Sequence, residues 1–231
     1  MKSSAAKRLL SSTIVALSFA TAASAASLSQ EEFETAALRG EAHIIQSALP
    51  SFATNQEALE KALALASLRG HEAVANLILD IKDSPVNLNK KDARYLAYAA
   101  RAEHIGIMDK LTKAGARDDE GFALASAIDS EKKASFDFLI DVAKISADAG
   151  NGMVMSMAMT AKDSYYVRRL LEKNADVKSF PIIQETLDQL RKDMTEGRST
   201  PATAEIITMI EGAQGKAVLA DKKNLPALAP S

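Results

Sequence analysis

The chain repeats itself. AALRGEAHIIQSAL at 36–49 lies over ASLRGHEAVANLIL at 66–79, each with a small residue, then Leu-Arg-Gly, then an apolar run. AARAEHIGIMDKLTKAGA (99–116), AIDSEKKASFDFLIDVA (127–143) and AMTAKDSYYVRRLLEKNADV (158–177) continue the series. The first small residues fall at 36, 66, 99, 127 and 158, giving steps of 30, 33, 28 and 31. A period of this size is the signature of stacked supersecondary units. Each unit reads as two short helices: an Ala-rich one, a break near Gly70 or Glu103, then one closing on a Leu/Ile cluster. A single pair cannot bury its apolar face alone, so pairs stack, and stability becomes a sum of unit and neighbour terms. The small residues Ala36, Ala66, Ala99 and Ala158 belong where first helices approach closely. Polar stretches at 80–94, 116–121, 145–152 and 176–181 carry the Gly, Asp, Asn and Pro that stop helices and favour turns. The expected fold is all-α, a helix-pair repeat solenoid of about five repeats over residues 27–179.

The residues that recur most closely are Gly70-His71 with Leu77-Ile78-Leu79, His104 with Lys113-Ala114-Gly115-Ala116, and Leu170 through Val177. In these the chain resembles the ankyrin-repeat family, over about residues 31–179. It departs from that pattern in having no Thr-Pro-Leu-His tetrapeptide, and its fourth unit, with Glu131-Lys132-Lys133 at the break, is a poor match. The resemblance implies an ankyrin-like stack that binds another protein through its concave face. Exported bacterial members of this kind resemble partner-binding or protective modules, including inhibitors of toxic enzymes.

Beyond Pro181 the period fades. Residues 180–213 read as a degenerate last repeat that caps the stack, and 214–231 as a loose tail. At the other end, Lys2, Lys7 and Arg8 precede an apolar run from Leu9 to Ala20 and the small residues Ala23-Ser24-Ala25-Ala26. That is the pattern of a signal peptide over 1–26, cleaved near Ala25 or Ala26. The apolar run is shorter than the ~20 residues a spanning helix needs. The expected product has no stable membrane anchor and is periplasmic or secreted. Removing those bases from the 28 Lys and Arg leaves 25 against 30 acidic residues, a formal charge of −5. Affinity for nucleic acid comes chiefly from clustered bases on phosphate, so an acidic chain without a basic block argues against that partner. With no cysteine, no disulfide can hold the fold in an oxidising compartment. The apolar core must do so, and 47% hydrophobic content is ample for one.

Methionines at 153, 155, 157 and 159 raise the question of a soft-metal site. On a helix Met153 and Met157 share one side, and Met155 and Met159 roughly the opposite one. Only a strand would align all four. The repeat places Ala158 at a close-approach position of a helix, so the expected role is core filling by flexible side chains. His71 and His104 occupy equivalent places 33 residues apart beside the helix breaks, and the resemblance to the ankyrin-repeat family implies that they satisfy turn backbone groups. Asp80, Asp83 and Asp118-Asp119-Glu120 are expected to be solvated turn residues. No zinc motif, phosphate-binding glycine loop or nucleophile elbow is present. The chain therefore reads as non-enzymatic, with no cofactor and no metal.

Function in such a stack lives on the inner helices and inter-repeat turns. By the spacing of the units, the exposed inner positions are Arg39, Arg69, Arg101, Asp129 and Thr160. Three arginines in succession would form a basic ladder, and arginine's planar fork suits carboxylates. Lys90, Lys91, Arg117, Asp118 and Asp119 would rim the same surface, with Tyr95 and Tyr98 as aromatic anchors. The expected activity is that of a monomeric protein-binding adaptor or inhibitor. Two alternatives stay open: a secreted effector that binds a host protein, and a periplasmic metal- or small-molecule-binding protein using Met153–Met159.

Overall fold

A computed structural model of the chain describes residues 28–90 and 95–215. The signal-peptide pattern, Lys91 and nearly all of the 214–231 tail lie outside the described residues. Among the described residues the protein is all-α, with twelve helices and no strand. No described helix is long and apolar enough to cross a membrane. The helices come in successive pairs: α1 (Gln30–Arg39) and α2 (Ala42–Phe52), α3 (Gln56–Arg69) and α4 (Glu72–Leu79), α5 (Tyr95–Arg101) and α6 (Ile105–Lys113). They continue with α7 (Phe122–Asp129) and α8 (Lys133–Asp141), α9 (Met153–Thr160) and α10 (Tyr165–Glu172), α11 (Pro181–Thr195) and α12 (Pro201–Ala213). The odd helices pack in sequence, α1 on α3, α3 on α5, α5 on α7, α7 on α9 and α9 on α11. Among the even helices α2 packs on α4, α4 on α6 and α10 on α12.

The first helix of each pair ends in the same way in four cases. The N–H of Glu41 donates to the Ala36 carbonyl (2.9 Å), His71 to Ala66 (3.0 Å), His104 to Ala99 (2.9 Å) and Lys132 to Ala127 (2.8 Å). These six-residue closures need a left-handed residue just before the donor. Gly40 (φ 74) and Gly70 (φ 79) supply it without strain, while Glu103 (φ 62) and Glu131 (φ 56) adopt it despite a Cβ. Counting the carbonyl acceptor as position 0 gives these four units a common frame whose zeros are the small residues of the sequence period, and that period puts Ala158 at 0 in the fifth.

In that frame the core is periodic. On the second helices, positions +8, +9 and +12 are buried: Val74, Ala75 and Ile78; Ile107, Met108 and Leu111; Ser135, Phe136 and Leu139; Tyr166, Val167 and Leu170. Spacing of three and four residues puts these on one helical stripe. On the first helices, position −4 is equally buried, at Ala62, Tyr95, Ala123 and Val154. Small residues at position 0 allow close approach of one odd helix to the next, as each is 2% exposed or less. The first pair adds a stacked contact between Phe33 and Phe52, with ring centroids 4.3 Å apart.

Side chains string the connecting segments together. Asn89 accepts from the Arg117 N–H (2.7 Å) and donates to the Gly115 carbonyl (3.2 Å). Asp148 repeats the first of these bonds, accepting from the Asp176 N–H (2.7 Å).

Candidate functional site

The exposed surface of the odd helices is made of two neighbouring rows. Position −1 is half-buried in every unit: Thr35, Leu65, Tyr98, Ser126 and Met157. Position +2, three residues on and so on the same face, is exposed: Leu38, Leu68, Arg101, Asp129 and Thr160. Arg39 and Arg69 are exposed as well, but they stand at +3, whose later occupants are Ala102, Ser130 and Ala161. The hydrogen-bonded frame thus corrects the spacing argument. Arg101 is not the third rung after Arg39 and Arg69, because it stands two residues after its zero, Ala99, whereas they stand three after theirs. At the place of Arg101, the first two units carry Leu38 and Leu68, 36% and 39% exposed.

The +2 row runs from apolar through basic to acidic in successive units, while the −1 row carries no charge. Arg39, Arg69, Arg101 and Asp129 form no ion pair among the described residues. Several charges facing elsewhere are engaged: Lys61 with Glu34 (2.5 Å), Lys110 with Asp80 (2.7 Å), and Arg169 with Asp137 (2.9 Å) and Asp141 (2.6 Å). Hydrogen bonds to Glu172 first and then Asp137 drive the Arg169 guanidinium further from deprotonation, and burial, then Asp137, pushes the Tyr165 hydroxyl up to about 12.

At the connecting segments the structure changes several expectations. Tyr95 is not a surface anchor: its exposure is 2%, because it stands at the buried −4 position, four residues before Ala99. Burial, then the nearby Glu60 carboxylate, raises its pKa. Tyr98, at the half-buried −1 position, is the aromatic side chain on the outer row. Lys90 is exposed but paired with Glu60 at 3.2 Å. Asp118 is not a solvated turn residue. Its carboxylate accepts from the N–H groups of Phe122 (3.0 Å) and Ala123 (2.6 Å), so it caps α7. Desolvation raises its pKa against those backbone bonds. Arg117 and Asp119 are exposed beside it, and with Lys90 and Tyr95 they line a shallow cleft of about 180 Å³.

The histidines and methionines have definite places. The His71 ring bonds the Leu38 carbonyl through Nε2 (2.9 Å), and its ring lies so close to Gly40 that a Cβ there would come within 2.5 Å. His104 packs on Gly70 in the same way. Position +5 carries on with Lys132, which reaches back to Glu103 at 3.7 Å. Met155 and Met159 are each 1% exposed, whereas Met153 and Met157 are half-buried on another side of α9. The helix divides the thioethers into two pairs, as the 100° advance per residue requires.

The fifth unit breaks the closure. Asp163 stands at +5, but no bond joins it to Ala158; Ala161, extended at ψ 153, sends its N–H to Met157 (3.1 Å) and Ala158 (3.3 Å) instead. Asp163 turns its carboxylate to the Tyr165 N–H (2.9 Å) and to Lys133 (2.5 Å), which hold its pKa below the ordinary carboxylate range, Lys133 foremost. Against protein families, curated proteins and solved structures, the chain finds no match.

Proposed function

We propose that the chain is an exported ankyrin-like solenoid that binds another protein through the exposed faces of its odd helices, without catalysis. The observation that carries this reading is the double row itself. Leu38, Leu68, Arg101, Asp129 and Thr160 stand exposed at one position of successive units, beside Arg39 and Arg69, and the four charges among them form no ion pair among the described residues. Free arginines flanked by exposed leucines are the composition of an interface anchor, since guanidinium groups pair carboxylates and leucines give up water. The pair formed by α11 and α12 packs on α9 and α10 and, in this reading, caps the stack. A partner with an acidic, partly apolar strip fits the first three units. The protein would act as adaptor or inhibitor in the periplasm or outside the cell.

The test is a pull-down from the periplasmic fraction with residues 27–231 as bait. A second bait carries Arg39→Glu, Arg69→Glu and Arg101→Glu, and both eluates go to mass spectrometry. One protein held by the first bait and lost by the second is expected, a loss of at least ~10-fold for reversed charges at an interface. Equal capture by both baits would remove the odd-helix face from the account.

A further inference from the structure

Where the fifth turn fails to close, a cleft of about 770 Å³ opens between it and the turn joining α7 to α8. Ile128 and Met157 form part of its apolar lining, and Asp129, Glu131 and Asp163 stand on its walls. Lys133 is there too, but its ammonium is engaged by Asp163 at 2.5 Å and lies 4.8 Å from the centroid of the Tyr165 ring. Among the described lining residues, Asp129 and Glu131 form no ion pair, and Lys162 is the one unpaired cation against them. The uncompensated charge is negative.

A second observation points to a ligand. Tyr166 also lines the cleft, is 1% exposed, and has a hydroxyl with no hydrogen-bond partner among the described residues. Buried hydroxyls are almost always bonded, so an orphan asks what it serves. Burial first, then the charges of Asp163 and Glu131, push that hydroxyl up to about 12. The carboxylates do not converge as a metal-holding group among the described residues. What the cleft offers is two free carboxylates, one hydroxyl oxygen and an apolar wall.

We infer that this cleft takes the basic side chain of the protein partner, specifically an arginine. Its guanidinium would donate to Asp129 and Glu131 and to the Tyr166 oxygen, with its three-carbon stem against Met157 and Ile128. Arginine fits better than lysine because its five N–H donors can serve several acceptors at once, whereas an ammonium is a point charge. The inference rests on the protein-binding reading and sharpens it: the partner would present acidic groups to the first three units and an arginine to the fourth and fifth.

The test uses the purified full chain labelled with [¹³C-methyl]methionine. N-acetyl-L-arginine methylamide is titrated in while the Met157 methyl signal is followed, with the corresponding glutamate derivative as the anionic control. The expected result is a saturable Met157 shift with millimolar affinity for the arginine probe, on the order of 1–10 mM for one side chain. The Asp129→Asn, Glu131→Gln double variant should weaken it by at least ~10-fold. Tyr166→Phe should weaken it less. The buried Met155 and Met159 signals report that each variant is folded. No saturable shift by ~50 mM, equal response to both probes, or an unchanged titration in the double variant overturns the site. If a partner is captured equally by wild-type and double-variant baits, this cleft is wrong while the protein-binding reading stands.

Discussion

The first four turns and the fifth are built on the same apolar spacing and end differently. Val74-Ala75-Ile78 and Tyr166-Val167-Leu170 hold equivalent buried places, so burial does not distinguish the two regions. Closure does. Gly40, Gly70, Glu103 and Glu131 take up the left-handed conformation, and the next residue bonds back to position 0; at Ala161 the chain runs extended and Asp163 bonds to Tyr165 and Lys133 instead. Packing and turn geometry are thus separate layers of information in this chain. A unit can keep the first and abandon the second, and the space released is a cleft.

The largest effects should leave the comparison even. Leu111→Ala and Leu170→Ala remove fully buried side chains at the same position in a closed and an open unit. Each should cost ~2–5 kcal/mol by urea denaturation. A cost under ~1 kcal/mol for Leu170→Ala would take the fifth unit out of the shared core. The next effect should split the two regions. Gly70→Ala forces a Cβ into left-handed backbone against the His104 ring, 2.5 Å away, and should destabilise by more than ~1 kcal/mol. Lys162→Ala, at the matching +4 place of the open turn, has no such requirement and should stay within ~0.5 kcal/mol.

Smaller effects come from single carboxylates. Asp118→Ala removes both acceptors at the start of α7 and should cost ~1 kcal/mol, while Asp118→Asn keeps one of the two and should recover only part of it at neutral pH. The pH dependences have opposite signs. Desolvation raises the Asp118 pKa in the folded state, so its burden on stability is present at neutral pH and is relieved as pH falls through that raised value. Lys133 lowers the Asp163 pKa, and Lys173 followed by Arg169 lowers that of Asp141. The stability from these two is full above the ordinary carboxylate range and lost as pH falls through their lowered values, below about 4. Thermal melts from pH 7 down to about 3 should show Asp163→Asn removing part of the acid-induced loss and Asp118→Asn steepening it.

Much of the fold is written in residue spacing. The zeros at 36, 66, 99 and 127 are the carbonyl acceptors of the turn bonds, and the Leu/Ile clusters after them fall on the buried stripe. The candidate surface was less legible. Arg39 and Arg69 follow their zeros by three residues but Arg101, Asp129 and Thr160 follow theirs by two, and the turn bonds, His104 to Ala99 among them, put Arg101 in line with Leu38 and Leu68 rather than with Arg39 and Arg69. An aromatic residue after a polar segment reads as a surface anchor, yet four residues separate Tyr95 from Ala99, and that spacing is the signal of its burial. The Asp118 contact carries a weaker sequence mark, since Asp118 stands four residues before Phe122 and the N-cap position itself is held by Gly121. The cleft carries none, since it depends on the extended backbone at Ala161 and on which hydroxyl it leaves unpaired.

Native-state amide hydrogen exchange, read residue by residue, tests the distinction between closed and open turns most directly. The N–H groups of His71, His104 and Lys132 donate into their turns, and they are expected to exchange at least ~10-fold more slowly than that of Asp163. Equal protection at Asp163 would mean that the fifth turn closes like the others, and the cleft above Tyr166 would have no structural origin.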